Sequence, residues 1–349
     1  MPNWYVTREK VKATLPINDG TRDDLIDGYI AAASRAFDRA THQFYIPRNQ
    51  TRSYSWPQAG HGGGVLDLDA PLISVDSLTK DDDDETAIQA ADYFLEPANS
   101  GPPYHWIEID QSSAAFFSSK NTTQRAIRVS GRWGAHSENV PAGALAANLA
   151  STTTTSLAVT DSSLVHVGDT LLNRAEQMFV SGRSTLDTGT NTAGSPTASM
   201  SDQTIAVGDG SAVKTGEVIL IDSERMLVLS VTDNNLSVVR AWDGTSLAVH
   251  SSGVDVYAFR TLTITRGENG TTAVDTHQSA DELVAYRAPA DVRSAVEARA
   301  LSDFVQASGG WTGIQGGGEA SAETKRSALS GIWSQAVRGH RRHLLGSSS

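Results

Sequence analysis

Apolar residues at helical spacing gather near the two ends of the chain. Ile26, Ile30, Ala33, Phe37, Ala40 and Phe44 recur at alternating steps of four and three, which predicts one apolar stripe along an amphipathic helix. Thr21 with Asp24 forms a capping box for that helix, Pro47 stops it, and Thr7 opens a shorter helix over 8–15. Helical spacing returns after Pro289, with Val292, Val296, Ala300 and Phe304 four apart until Gly309 and Gly310. Beyond the glycine-rich connector 309–318, a last helix from Ser321 is expected to bury Leu329, Ile332, Trp333, Ala336 and Val337 before a basic tail from Arg338 to His343. Each of these helices has one apolar face and needs a partner to cover it. The chain is therefore read as α+β, with residues 1–50 plus 288–349 forming a discontinuous helical bundle.

The middle of the chain changes period from 3.6 to 2. In 51–140, Leu66 to Leu68, Leu72 to Val75, Tyr93 to Leu95, Trp106 to Ile109 and Ala126 to Val129 read as strands of a small sheet. Residues 141–155, rich in Ala and Thr, read as a linker. A duplication follows. The stretch Leu157 to Val180 matches Ile205 to Val228 at a constant offset of 48, with Asp161/Asp209, Gly168/Gly216, Glu176/Glu224, Met178/Met226 and Val180/Val228 in register.

A second motif also occurs twice. Leu236 to Arg240, Asp243-Gly244-Thr245, His250 and Tyr257 match Leu262 to Arg266, Asn269-Gly270-Thr271, His277 and Tyr286. In the inner copy, Thr232 to Asn235 joins the two parts as a tight hairpin. In the outer copy the same hairpin opens at Ser181-Gly182-Arg183 and closes at Thr261. Tandem duplication does not produce that order. It predicts two nested small β-modules, an outer one over 151–183 plus 261–287 and an inserted copy over 195–260, entered through a mobile low-complexity stretch from Arg183 to Ser201.

Charge follows the same division. The total is −12, but residues 1–50 and 288–349 together carry +3 and residues 51–287 carry −15. Cysteine is absent, which excludes disulfides and thiolate metal sites. The N-terminus is too polar for a signal peptide and no apolar run approaches a membrane span, so a soluble protein made in the cytoplasm is expected.

The candidate chemical motifs give way to the repeat. Gly208 to Thr215 falls short of a phosphate-binding loop because Val213 stands where glycine is required, and its duplicate has His166-Val167 in place of Lys214-Thr215. The acidic run Asp81 to Glu85 lacks the glycine and spaced glutamate of a calcium loop and reads as a solvated turn. His250 and His277, like Glu176 and Glu224, recur at equivalent places and read as packing residues of the repeat. A glycosidase needs two unlike carboxylates across one substrate. No catalytic residue, cofactor or metal ligand is expected, and the chain is read as a non-enzyme.

Several segments resemble the head-to-tail adaptor proteins of tailed bacteriophages. They are Tyr5-Val-Thr7-Arg-Glu-x-Val11-Lys12-x-x-Leu15, Asp24-Leu25-Ile26, Ala32-Ala33-Ser34-Arg35, Phe44-Tyr45, Leu66-Asp-Leu68, Pro71-Leu-Ile-Ser-Val75, Asp92-Tyr-x-Leu95-Glu-Pro97 and Val129-Ser-Gly131-Arg-Trp133-Gly134. The resemblance implies a virion neck protein that forms a ring, usually of twelve copies, below the portal. Such a ring extends the DNA channel toward the stopper or tail-completion protein and lets DNA pass without specific binding. It also implies that a C-terminal segment docks into the portal, here Trp333, Arg338, Arg341, Arg342, Leu344 and Leu345. Ile26, Ile30, Phe37 and Phe44 are then bundle-helix or ring-interface positions. The β-repeats alone suggest a different function, a receptor- or glycan-binding module of a tail spike or fibre.

Overall fold

The computed structural model describes residues 3–15, 17, 19–58, 63–80, 86–120, 122–308 and 319–342, with side chains in the last helix from residue 329 onward. Within them lie four α-helices and two mostly antiparallel sheets, a mixed α+β fold. The helices are α1 (Arg8–Thr14), α2 (Asp23–Thr41), α3 (Ala290–Ser308) and α4 (Glu319–His340). Ile26, Ile30, Ala33 and Phe37 of α2 share one core with Val292, Val296, Ala300 and Phe304 of α3 and Ala336 of α4. Among the described residues no helix is long and apolar enough to cross a membrane.

The helix ends differ from expectation. Thr21 gives both its N–H and its hydroxyl to Asp19, so no capping box forms and Arg22 stands at the cap. Thr7 precedes α1 without a side-chain capping bond. At the other end α2 stops at Thr41, with His42 in the left-handed region, well before Pro47. Phe44 therefore lies outside the helix whose stripe it was assigned to. In α4, Ile332 is 42% exposed rather than buried.

The first sheet contains β1 (Arg48–Tyr54), β2 (Val65–Lys80), β3 (Tyr93–Glu96), β4 (Tyr104–Ile109) and β5 (Ile127–Trp133), in the order β1-β5-β2-β4-β3. Leu66 to Leu68 and Leu72 to Val75, expected as two strands, form one long β2. Its register against β4 and β5 shifts where the chain bends, between Asp67 and Leu72 and between Leu72 and Ser74. Leu66, Leu68, Leu72, Ile107, Val129 and Trp133 fill its core. The acidic run 81–85 and the connector 309–318 lie outside the described residues.

The second sheet contains β6 (Asn139–Ala144), β7 (Ser156–Ala158), β8 (Thr170–Asn173), β9 (Glu176–Asn191), β10 (Thr204–Ala206), β11 (Val218–Ile221), β12 (Glu224–Thr232), β13 (Asn235–Val239), β14 (Asp255–Thr265) and β15 (Glu282–Tyr286). Val180 of β9 lies opposite Ile264 of β14, and the equivalent Val228 of β12 lies opposite Val238 of β13. Likewise β7 places Leu157 against Leu262 as β10 places Ile205 against Leu236. Two separate apolar cores result, one around Leu157, Val165, Met178 and Leu262, the other around Ile205, Val213, Met226 and Leu236.

Arg183 to Asn191 is no mobile stretch: it continues β9, pairing Ser184 with Thr261 and Leu186 with Ala258. Residues 141–155 are no linker, because β6 pairs with β15 and Leu145 and Leu149 are buried in the outer core. The counterpart of Tyr257 is Val284, not Tyr286, since Tyr257 faces Leu220 and Val284 faces Leu172, the equivalent residue of the other copy.

Candidate functional site

Each copy of the repeat encloses one glutamate at the start of a strand. In the outer copy Glu176 accepts from Arg266 Nε at 2.5 Å and Nη2 at 2.7 Å, and lies 2.7 Å from His277 Nε2. The backbone N–H groups of Gly267 and Val274 complete its shell. In the inner copy Glu224 accepts from Arg240 Nε and Nη2, both at 2.7 Å, lies 2.9 Å from His250 Nε2, and takes the N–H groups of Ala241 and Ala248. Burial opposes the charge, but the arginine and histidine bonds outweigh it and hold each carboxyl down at about 2. No oxygen of either carboxylate lacks a donor. In each copy the arginine fork takes both carboxylate oxygens, which adds geometric specificity to the pair.

The copies differ at one ring nitrogen. Asp222 lies 2.7 Å from His250 Nδ1, whereas Arg174 occupies the equivalent position in the outer copy and His277 Nδ1 has no partner. A second acid and arginine pair, missed in the sequence, also repeats. Asp169 binds Arg287 and receives His166 N–H, while Glu217 binds Arg260 and receives Lys214 N–H. Both acids are held below their ordinary range: burial raises them, and hydrogen bonds from neighbouring residues, chiefly Arg260 at Glu217, pull them further down. The signal was available in the offset of 48, which aligns Asp169 with Glu217, but Arg260 and Arg287 sit 27 apart, the offset of His250 and His277, whereas Leu236 to Thr245 and its copy sit 26 apart.

These pairs lie where the parts of the chain meet. Ser162 of the outer copy gives its N–H and hydroxyl to Glu217 of the inner one. The outer copy's own 166–169 turn meets the N-terminal segment instead, through Arg8 N–H to Val167 O and Val167 N–H to Glu9. Gly168, at φ +103°, lets the Trp4 ring lie against the turn; a Cβ there would run into it. Lys214, far from cradling a phosphate, turns its ammonium back onto Ser211 O at 2.8 Å.

At the C-terminal end the side chains assigned to docking divide into two groups. Trp333 is half-buried, edge-on to Phe37 at 5.3 Å and beneath the Arg299 guanidinium. Arg342 donates its N–H to Thr41 O and its guanidinium to Leu68 O, which ties the end of α4 to the first sheet. His340 stands 2.7 Å from Asp291 and edge-on to Tyr45. Arg338 and Arg341 are exposed, and Leu344 and Leu345 lie outside the described residues. Ile26, Ile30 and Phe37 are fully enclosed within the chain and have no surface to offer a neighbour. Phe44 is half-buried against the first sheet, under Arg48. No protein-family model, curated protein or solved structure matches the chain.

Proposed function

We propose that this chain is a structural adaptor of a tailed-phage neck. It assembles in the host cytoplasm into a ring below the portal, with twelve copies as the expected number, and joins head to tail around the DNA channel. The observation that carries this reading is the contact between the two ends of the chain, where the α2 stripe from Ile26 to Phe37 packs on Val292 to Phe304 of α3. In this reading the helices form one discontinuous bundle, from which a long β-excursion with two nested modules projects. Insertions are tolerated best at exposed loop tips, so an excursion of this kind can lengthen without disturbing the helical core.

Ring closure needs a head-to-tail contact between identical subunits. With Ile26, Ile30 and Phe37 enclosed, the helices offer Leu25, Val305 and Ile332 as exposed apolar residues for it. Arg338 and Arg341, with Leu344 and Leu345, are assigned to the portal, while Trp333 and Arg342 fix the base from which that segment leaves. An acidic middle, at −15 over residues 51–287, suits passage of DNA rather than its capture.

Imaging the purified protein by electron microscopy tests the reading, with mass photometry to count subunits. Rings with a central hole are expected. Trimeric rods would overturn it in favour of a receptor- or glycan-binding module of a tail spike or fibre, and monomers at every concentration would overturn the ring.

A further inference from the structure

A cleft of about 580 Å³ lies between the N-terminal segment, the 166–169 turn of the outer copy and the first turns of α3. That size is within the range of ligand pockets, roughly 300–1,000 Å³. Its acids are all engaged: Glu9 by Val167 N–H, Asp169 by Arg287, and Glu297 by the Thr14 hydroxyl at 2.7 Å. Its donors are not. Arg293 has no hydrogen bond or ion pair from its side chain among the described residues, and Lys10 reaches Glu297 only at 4.0 Å. The indole N–H of Trp4 is enclosed without a partner, and the ring is held in place by Phe179 at 5.3 Å.

We infer that this cleft binds a short acidic peptide segment of a partner protein. Unused donors of positive charge call for a carboxylate, which an arginine takes in bidentate fashion. The start of a 19-residue helix adds partial positive charge at the same place. Val6, Ala288 and the Trp4 and Tyr286 rings line the walls, so an apolar side chain next to the carboxylates has somewhere to go. Glu9 and Glu297 in the same lining disfavour the continuous charge of a polyphosphate or nucleic-acid backbone, whereas a peptide can set its carboxylates apart from them. The inference stands apart from the adaptor reading, since it needs only this cleft.

The test is fluorescence polarisation with the full-length protein and a labelled peptide carrying two carboxylates between leucines. Saturable binding is expected. Arg293→Glu, at an exposed position, should weaken it by about tenfold or more without moving the thermal midpoint, and Trp4→Phe should weaken it while keeping the ring. Equal binding of the same peptide with its carboxylates replaced by amides would overturn the site. So would unchanged binding to Arg293→Glu, or displacement by polyphosphate or short duplex DNA at lower concentration than by unlabelled peptide.

Discussion

Lys12 donates to Asp243 at 2.8 Å, at the same turn of the inner copy whose outer counterpart, Asn269, receives a 2.7 Å bond from Asn3. Asp243 and Asn269 both sit in the left-handed region, at φ 52° and 56°, each followed by glycine. The N-terminal segment thus grips two copies of one turn with residues nine apart. Gly270 is required at its turn, because a Cβ would strike the Asn49 carbonyl of β1.

A double-mutant cycle tests that grip. Burial works against the charge of Lys12, but bonds to Asp243 and Asp23 outweigh it and raise its pKa. Lys12→Met and Asp243→Asn should each destabilise, with a coupling of about 0.5–3 kcal/mol in chemical denaturation. A coupling of zero would mean that the two residues are merely adjacent.

Acid should attack both copies together. Glu176 and Glu224 lie at about 2 in the folded chain against 4.5 for the ordinary group. A depressed carboxyl stabilises fully above its unfolded value, and that contribution disappears as pH falls from about 4.5 toward 2. Each contributes on the order of 3 kcal/mol. Denaturant midpoints measured from pH 6 to 2.5 should fall steeply below pH 4.5, and Glu224→Gln should remove part of that dependence at the expense of stability at neutral pH.

Deleting Ser184 to Arg260 and joining the ends with a short turn should leave a folded outer copy, because β9 then meets β14 as β12 meets β13. Ser162 would lose Glu217. In the inner copy the equivalent residue is Gly210, where a Cβ would run into the Asp233 carbonyl of the closed hairpin. The deletion variant carrying Ser162→Gly should therefore melt higher than the deletion alone. The reverse order would show that the closed outer hairpin does not crowd residue 162 as the inner hairpin crowds Gly210.

Portal docking is best tested at exposed positions. Truncation after Gly331 would also strip Trp333 and Ala336 from the packed core and remove the bonds of His340 and Arg342. Arg338→Glu with Arg341→Glu should keep the unfolding free energy within about 1 kcal/mol and reduce incorporation into portal-bearing heads. Full incorporation of that variant would remove these arginines from the assignment.

The sequence by itself determined the repeat and the helical stripes, since both are local patterns. Matching Glu176 with Glu224 needs only a constant offset, and Ile26 to Phe37 needs only the 3.6-residue turn. It did not determine that Leu66 and Leu72 share one strand, because Asp69 and Pro71 between them read as a break, whereas the strand passes them by shifting its register against its neighbours. Nor did it show how far the copies extend. The hydrogen bonds of Thr160 to Ala144 and Gly208 to Asn191 are equivalent, yet the donors lie 48 apart and the acceptors 47, so one missing residue hid β6 from the comparison. The fate of Arg183 to Asn191, the grip of Lys12 and Asn3, and the anchoring of Arg342 on Leu68 were decided only in three dimensions. These are polar contacts between segments distant in sequence, and a backbone or charged group leaves no periodic trace of the partner it will find.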